Sequence, residues 1–401
     1  MQLGHEDEAF REEVRAFFAA ELTPELRRAG ELMTSVYADH ASQMAWQAKL
    51  HGKGWAAPAW PVEYGGCGWS VVQHHIFASE RVRAGAPPVS PMGIKMCGPA
   101  IIGFGTDEQK AYFLPRMLSG EHFWCQGYSE PGAGSDLSAL QMKAVREGDD
   151  LVCTGTKIWT THANVANWIF CLVRTSKGER KQQGITFLLI DMASPGIEVR
   201  PIIMASGEHI QNQIFFDQVR VPVSNVLGEI DQGWTVAKYL LEFERGGSAY
   251  APEIEVGLRE LAVQVTAQAA GPGRAMLEAR IAEARIRCDI LARLESDILS
   301  QLSAGAPTGA DASMMKILGT ELQQRVTELA LDAAGPLARA FQPGVAMPGG
   351  PIPAHELDDY CTGEVWQAIA PLRYLNERAG SIYAGTNEIQ RNILGKAELG
   401  I

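Results

Sequence analysis

Between His122 and about Val223 the chain leaves helical periodicity for short β-rich runs, and this change constrains the fold more than any other feature. The runs are Phe123–Tyr128, Leu151–Thr161, Trp168–Arg174, Ile185–Asp191, Ile197–Ile203 and Gln213–Val221. Turn formers such as Gly148-Asp149-Asp150 and Ser194-Pro195-Gly196 separate them, and no helical stretch intervenes. Strands spaced this way predict a compact antiparallel unit, a small barrel or sandwich. The run Trp168–Val173 is apolar but far shorter than the roughly 20 residues that span a bilayer, so it reads as core.

Both flanks are helical. On the N-terminal side Phe10, Val14, Phe17 and Phe18 recur on one face of a helix expected from Glu6 to about Arg28. A turn-rich loop over Trp55–Gly66 follows, then helical patterns at Val71–Val82 and Thr106–Leu118, with Thr106 as N-cap. On the C-terminal side helices are expected over Trp234–Arg245, from Val256 into Leu302, over Ser313–Ala334, and from beside Gly385-Thr386 through Leu394. A Pro/Gly-rich excursion lies between Phe341 and His355. The expected organisation is α+β: an N-terminal helical domain (1–120), a central β domain (121–228) and a C-terminal helical domain (229–401). With 401 residues, 46% of them hydrophobic, the chain can bury a core of that size.

A net charge of −12 excludes nucleic acid and anionic membrane as partners, since both need a wide basic field, but leaves room for a small phosphorylated ligand held by local donors. The acidic start Met1–Glu8 lacks the apolar core of a secretory signal. The seven cysteines are scattered and form no Cys-x-x-Cys pair, and the histidines lack ligand spacing. Reduced thiols, a cytoplasmic location and no metal are therefore expected.

The chemistry concentrates at Trp124–Asp136, where a strand pattern runs into Ser129-Glu130-Pro131-Gly132-Ala133-Gly134-Ser135-Asp136, and at Gly155–Thr161, which ends in Ile158-Trp159-Thr160-Thr161. Backbone N–H groups, small hydroxyls and a flat aromatic face suit a ligand that is planar and phosphorylated. The same residues also read as a Pro/Gly turn beside a core tryptophan.

These two strings, with Ile382-Tyr383-Ala384-Gly385-Thr386-Asn387-Glu388-Ile389-Gln390-Arg391 near the end, closely resemble the acyl-CoA dehydrogenase family in order and spacing along essentially the whole chain. The resemblance implies an FAD enzyme with flavin between the β domain and the C-terminal helices. Gln126, Ser129, Trp159 and Thr161 match positions against the isoalloxazine and ribityl chain, Thr386 and Glu388 match cofactor contacts, and Ser135 matches a position touching both FAD and acyl-CoA. Glu242, Arg245, Tyr383 and Ala384 match the acyl-CoA site. Electrons pass in this family to an electron-transfer flavoprotein or similar acceptor.

Many members carry a glutamate base directly before Gly-Thr, where this chain has Ala384. The same alanine occurs in isovaleryl-CoA-type members, which carry the base on another helix directly before an arginine. Here Glu244-Arg245 fits that pattern, and Glu244 follows Leu240 by one helical turn, at the edge of the apolar stripe. Without the resemblance, Glu242 and Glu244 also read as solvated helix charges. The implied reaction is α,β-dehydrogenation of an acyl-CoA thioester with a bulky, branched or dicarboxylic chain, the α-proton going to Glu244 and the β-hydride to FAD. An acyl-CoA oxidase, a flavin monooxygenase or a non-catalytic partner subunit on the same fold are the other readings.

Homotetrameric members usually carry Arg-x-x-Phe-Gly and Gln-x-x-Gly-Gly motifs that hold a neighbour's FAD. The corresponding stretches here read Gly271–Glu278 and Leu331–Pro336, without either motif. This resembles the catalytic subunit of two-component enzymes of the pimeloyl-CoA and steroid side-chain types, and implies a hetero-oligomer with a second dehydrogenase-like subunit. A homotetramer or homodimer is the alternative.

Overall fold

Proline and its neighbours decide where the first helix stops. Helix α1 (His5–Glu21) buries Phe10, Val14 and Phe18, and α2 (Pro24–Glu31) starts afresh with Pro24 in its first turn and the Thr23 hydroxyl accepting from the Leu26 N–H at 3.3 Å. The one helix expected over Glu6–Arg28 is thus two, because a residue preceding proline is pushed out of the helical region. The computed structural model describes residues 3–34, 36–245, 249–305, 310–345 and 361–400, the side chains of 242–245 and 343 excepted. Helix α3 (His40–Lys53) is capped by Asp39, while α4 (Val71–Ala84) and α6 (Asp107–Ser119) open with capping boxes from Ser70/Gln73 and Thr106/Gln109. Between them a π-helical turn, Met92–Cys97, runs directly into α5 (Gly98–Phe104).

The middle of the chain forms one curled sheet from β1 (Trp124–Gly127), β2 (Lys143–Glu147), β3 (Asp150–Lys157), β4 (Trp168–Arg174), β5 (Ile185–Asp191), β6 (Ile197–Ile202) and β7 (Gln211–Pro222). Its path is β1-β4-β2-β3-β7-β6, with β5 on the other side of β4. The sheet is mixed, not antiparallel as the strand spacing predicts: β1 runs parallel to β4 with Trp124 opposite Trp168, and β2 meets β4 in parallel at Lys143 and Arg174. A parallel pair needs a long connection, and the forty residues from Tyr128 to Asn167 provide it. Ile169–Val173 is wholly buried, as expected of core.

In the C-terminal part, α7 (Gly233–Arg245) packs on β5, on α5 and on the π-helical turn, so it joins the helical and β regions. Helices α8 (Tyr250–Thr266), α9 (Pro272–Ser303) and α10 (Asp311–Ala334) pack on one another, and α10 also receives α11 (Val365–Glu377) and α12 (Asn387–Leu394). The expected run from Val256 to Leu302 is two helices, broken at Gly271 and restarted by Pro272 at its first position. Most of the Pro/Gly-rich excursion lies outside the described residues. The architecture is α+β: helices, a β middle, then helices. Among the described residues, no helix is long and apolar enough to cross a membrane, and no group of three or more His, Cys, Asp or Glu is placed to hold a metal ion.

Candidate active site

Strand β1 carries half-buried Gln126 and leads into a turn locked from below. The Ser129 carbonyl accepts from the Ile158 N–H at 2.9 Å, and Glu130 and Ala133 exchange two backbone hydrogen bonds across Pro131-Gly132. Beneath the turn the Glu130 carboxylate accepts from Lys157 Nζ at 2.8 Å and from the N–H groups of Gln141 and Met142 at 2.6 and 2.9 Å. Lys157 also donates to the Tyr128 carbonyl at 3.1 Å and is fully buried. Three charge-assisted bonds on one carboxylate leave little freedom to the loop that follows. Sequence reasoning assigned neither residue a role. The available signal was an acid in one motif string and a base in the other.

Trp159 and His162 both stand at φ 60, a left-handed conformation that costs a non-glycine residue about 1–3 kcal/mol. Asn212 offsets that cost. Its Nδ2 donates to the carbonyls of Thr160 and Ile210 at 3.0 and 3.1 Å and to Asn164 Oδ1 at 3.2 Å, and its Oδ1 lies 2.7 Å from His209 Nε2. The N–H groups of Thr160 and His162 donate to the carbonyls of Asn212 and Ile210. Strand β3 therefore ends at Lys157, four residues short of the expected Thr161. The turn presents the Trp159 indole outward, 60% exposed, with Thr161 beside it bonded to Gln211. Thr160 Oγ1 is buried and unpartnered among the described residues, as is Oε1 of Glu208, whose carboxyl is pushed up to about 7 by burial despite a bond from Ser206.

The C-terminal motif turns by the same device. Ala384 and Gly385 take φ 54 and 80, their carbonyls facing Gln390 Nε2 at 3.4 Å, and the Thr386 hydroxyl caps α12 by accepting from the Ile389 N–H at 3.2 Å. Glu388 is exposed in the first turn of α12, its carboxyl held low by backbone N–H and the Thr386 hydroxyl. Tyr383 is 46% exposed on one side, yet desolvation and then Glu377 push its hydroxyl well above its ordinary range. Glu377 is itself raised to about 7 by burial.

The Tyr37 ring packs 5.1 Å from His162, and Tyr37 adds to the upward shift of Tyr383 behind desolvation and Glu377. Helix α11 fixes the segment before Tyr37, through Arg373 to the carbonyls of Met33 and Glu31 and Asn376 to that of Thr34. Helix α7 extends unbroken to Arg245 with Leu240 fully buried, whereas the side chains of Glu242, Glu244 and Arg245 lie outside the described residues.

The Ser129–Ile158 hydrogen bond thus brings the turn after β1 beside the turn that carries Trp159, Gln126 and Thr161 are half-buried, and Ser135 is exposed. A Cβ on Gly132 or Gly134 would meet nothing within 4 Å, so protein packing does not demand glycine there. An outward indole, an orphaned buried hydroxyl and uncrowded glycines fit a planar phosphorylated cofactor approaching the backbone closely. Two cations near the two missing motifs, Arg274 and Arg280, are already engaged. Arg274 bonds Glu278 at 2.8 Å and the Gln268 carbonyl at 3.1 Å, and Arg280 pairs with Asp332 at 2.7 Å.

The chain matches the acyl-CoA dehydrogenase N-terminal domain over residues 4–121, the middle domain over 125–219 and the C-terminal domain over 231–399. It is 36% identical to the acyl-CoA dehydrogenase IpdE1 of Mycobacterium tuberculosis, across 98% of this chain and 97% of that one. It is 33% identical to the acyl-CoA dehydrogenase FadE26 of the same organism, across 99% and 97%. Among solved structures it is similar to the ChsE4-ChsE5 complex from Mycobacterium tuberculosis, with 31% identity, a TM-score of 0.81 and 100% and 99% coverage. It is likewise similar to the Tcur3481-Tcur3483 steroid ACAD, with 29% identity, a TM-score of 0.81 and 100% and 98% coverage.

Proposed function

The chain belongs to the acyl-CoA dehydrogenase family, whose members are FAD-dependent oxidoreductases, and from that premise we propose that it desaturates a bulky, branched or dicarboxylic acyl-CoA using Glu244 as base. FAD supplies the acceptor for the β-hydrogen. Gln126, Ser129, Trp159 and Thr161 hold its ring edge and ribityl chain, Thr386 and Glu388 contact it from the C-terminal side, and Ser135 touches both FAD and the thioester. Glu242, Arg245 and Tyr383 border the acyl-CoA, and the Ala384 N–H donates to the thioester oxygen as charge develops there.

One observation carries the assignment of the base. The position before Gly-Thr holds a methyl group, Ala384, pinned in a left-handed turn, while α7 stays helical through Glu244. A second carboxylate has its own support, since Glu377 is raised to about 7 and lies close enough to Tyr383 to shift it. Anaerobic reduction of the bound flavin by substrate separates them. Glu244→Gln should slow it by about 10²–10⁴ and Glu377→Gln by less than about tenfold, whereas the reverse ranking would move the base to α11.

The second part of the reading is a hetero-oligomer. The ChsE4-ChsE5 complex and Tcur3481-Tcur3483 each join two differently named components, and here Arg274 and Arg280 are engaged within the chain. A partner subunit then supplies the missing pyrophosphate donors. Full FAD occupancy and activity of the chain purified alone would refute this; yellow, active protein only after co-expression is the expected result. A cytoplasmic location and an electron-transfer flavoprotein as acceptor complete the proposal.

A further inference from the structure

The Ala384 N–H donates to no described residue, although its neighbours are engaged. The Ile382 and Tyr383 N–H groups donate to the Ala379 carbonyl at 2.8 and 3.1 Å, and that of Asn387 to the Ser381 carbonyl at 2.9 Å. Ala384 is exposed, so a ligand can reach the turn. Its φ of 54 is one that an L-residue avoids unless its surroundings hold it there. Relaxation to an ordinary helical φ would swing the peptide plane that bears this N–H by roughly 120°.

Gln390 is what holds the turn. Its side chain is 1% exposed, and its Nε2 lies 3.4 Å from the Ala384 carbonyl and 3.4 Å from that of Gly385. A Cβ on Gly385 would sit 2.6 Å from that nitrogen, so the amide lies directly against the turn. Its other end is anchored on α10, where the Ser313 hydroxyl, itself buried, donates to Oε1 at 2.7 Å. The reversed amide would set Oε1 against two carbonyl oxygens, acceptor against acceptor, so the serine and the two carbonyls select one orientation. Each long bond is weak, but both act, away from water, on the carbonyls that follow the free N–H.

We propose that Gln390 is a positioning residue for the reaction. By holding the carbonyls of Ala384 and Gly385 it keeps the Ala384 N–H aimed at the thioester oxygen, and Ser313 keeps the amide in the orientation that does so. This rests on the reading of the Ala384 N–H given above and is independent of which carboxylate is the base. The thioester oxygen gains charge as the α-proton leaves, so a donor turned away costs more in the transition state than in the bound ground state. Gln390 therefore acts on the rate more than on thioester binding.

The test uses the FAD-loaded enzyme, with its partner subunit where one is required, and whichever of octanoyl-CoA, isovaleryl-CoA and phenylpropanoyl-CoA reduces the flavin fastest. Gln390→Met, similar in volume but without the amide, should slow anaerobic flavin reduction by about tenfold to a hundredfold while the Kd of the thioester changes by less than about threefold. The matching enoyl-CoA product, isotopically labelled at its carbonyl, reports the hydrogen bond by infrared spectroscopy. Its stretching frequency should fall on binding to the wild type and fall less on binding to Gln390→Met. Ser313→Ala leaves the amide in place but unanchored; it should move both readouts the same way by less, and it replaces Gln390→Met if that variant does not fold. In either variant, a wild-type rate, or a slowed rate with the wild-type carbonyl frequency, overturns the proposal. A frequency that does not fall even in the wild type would remove the reading of the Ala384 N–H and the proposal with it. Failure of the base assignment looks different, since Glu244→Gln should slow reduction without moving the frequency.

Discussion

Asn212 is a residue whose importance no local pattern announces. It lies in a strand of alternating burial, is itself wholly buried, and supports the turn that presents Trp159. Asn212→Ala removes the bonds donated by Nδ2 and leaves the Thr160 carbonyl without that donor, while the Ile210 carbonyl keeps the His162 N–H, at a cost of about 1–3 kcal/mol. With that support gone, Trp159 and His162 are expected to relax toward ordinary backbone angles and FAD to dissociate about tenfold more readily, as read by flavin fluorescence on dilution. Unchanged FAD retention would show that the turn holds its shape without the amide. Glu130→Gln should act more severely, because it strands the buried Lys157 ammonium, about 3–5 kcal/mol for a broken buried pair; its readout is the melting temperature of the apoprotein. At this scale Trp159 and Ala384 were legible because each stands inside a recognisable string. Asn212, Glu130 and Lys157 were not, since their roles arise from contacts across 27 to 52 residues of chain.

Helix α12 is short, and what fixes it is polar. Ser313 Oγ donates to Gln390 Oε1 at 2.7 Å, Lys316 Nζ donates to Asn387 Oδ1 at 2.8 Å, and Thr320 and Asn387 exchange contacts at 3.2–3.3 Å, all buried on α10. Burial pulls the Lys316 ammonium down to about 8, so its bond to Asn387 is what makes its charge tolerable there. Asn387→Leu should therefore loosen α12, release the Ala384-Gly385 turn, and lower both the melting temperature and the rate of flavin reduction by substrate. A variant that melts lower but reduces flavin at the normal rate would separate the helix from the reaction. Elements were legible where one face was apolar or a cap was explicit, as at Thr106 and in β4 and β5. Strand β2 escaped notice because Lys-Ala-Val-Arg-Glu buries only Ala144. The parallel β1–β4 pairing escaped because strand direction depends on a crossover, and residue periodicity carries no record of it.

For the molecule as a whole, the same arrangement recurs in three places. Glu208 in the loop before β7, Glu295 on α9 and Glu377 at the end of α11 are each raised to about 7, burial being the leading cause. Glu295 accepts from the Ala251 N–H at 3.0 Å and so caps α8, whose own preceding residue, Ala249, offers no side-chain cap. A carboxyl near 4.5 when unfolded and near 7 when folded binds more protons in the native state between those values, so stability falls as pH rises through that window and the loss is complete above the folded value. Histidines 40, 74, 75 and 122 act oppositely, since desolvation lowers them and acid below about 6.5 destabilises the fold. The buried thiols are raised and affect stability only above about 9. Lys316, lowered to about 8, opposes the carboxyls only near the top of the interval from pH 6.5 to 8, by less than any one of them, so the three carboxyls dominate there, each removing on the order of 1 kcal/mol. The holoenzyme should melt at a lower temperature at pH 8 than at pH 6.5, and Glu208→Gln, which keeps the shape and cannot ionise, should flatten part of that slope without reversing it. A melting temperature that rises across this interval would mean that these carboxyls are not buried as neutral acids.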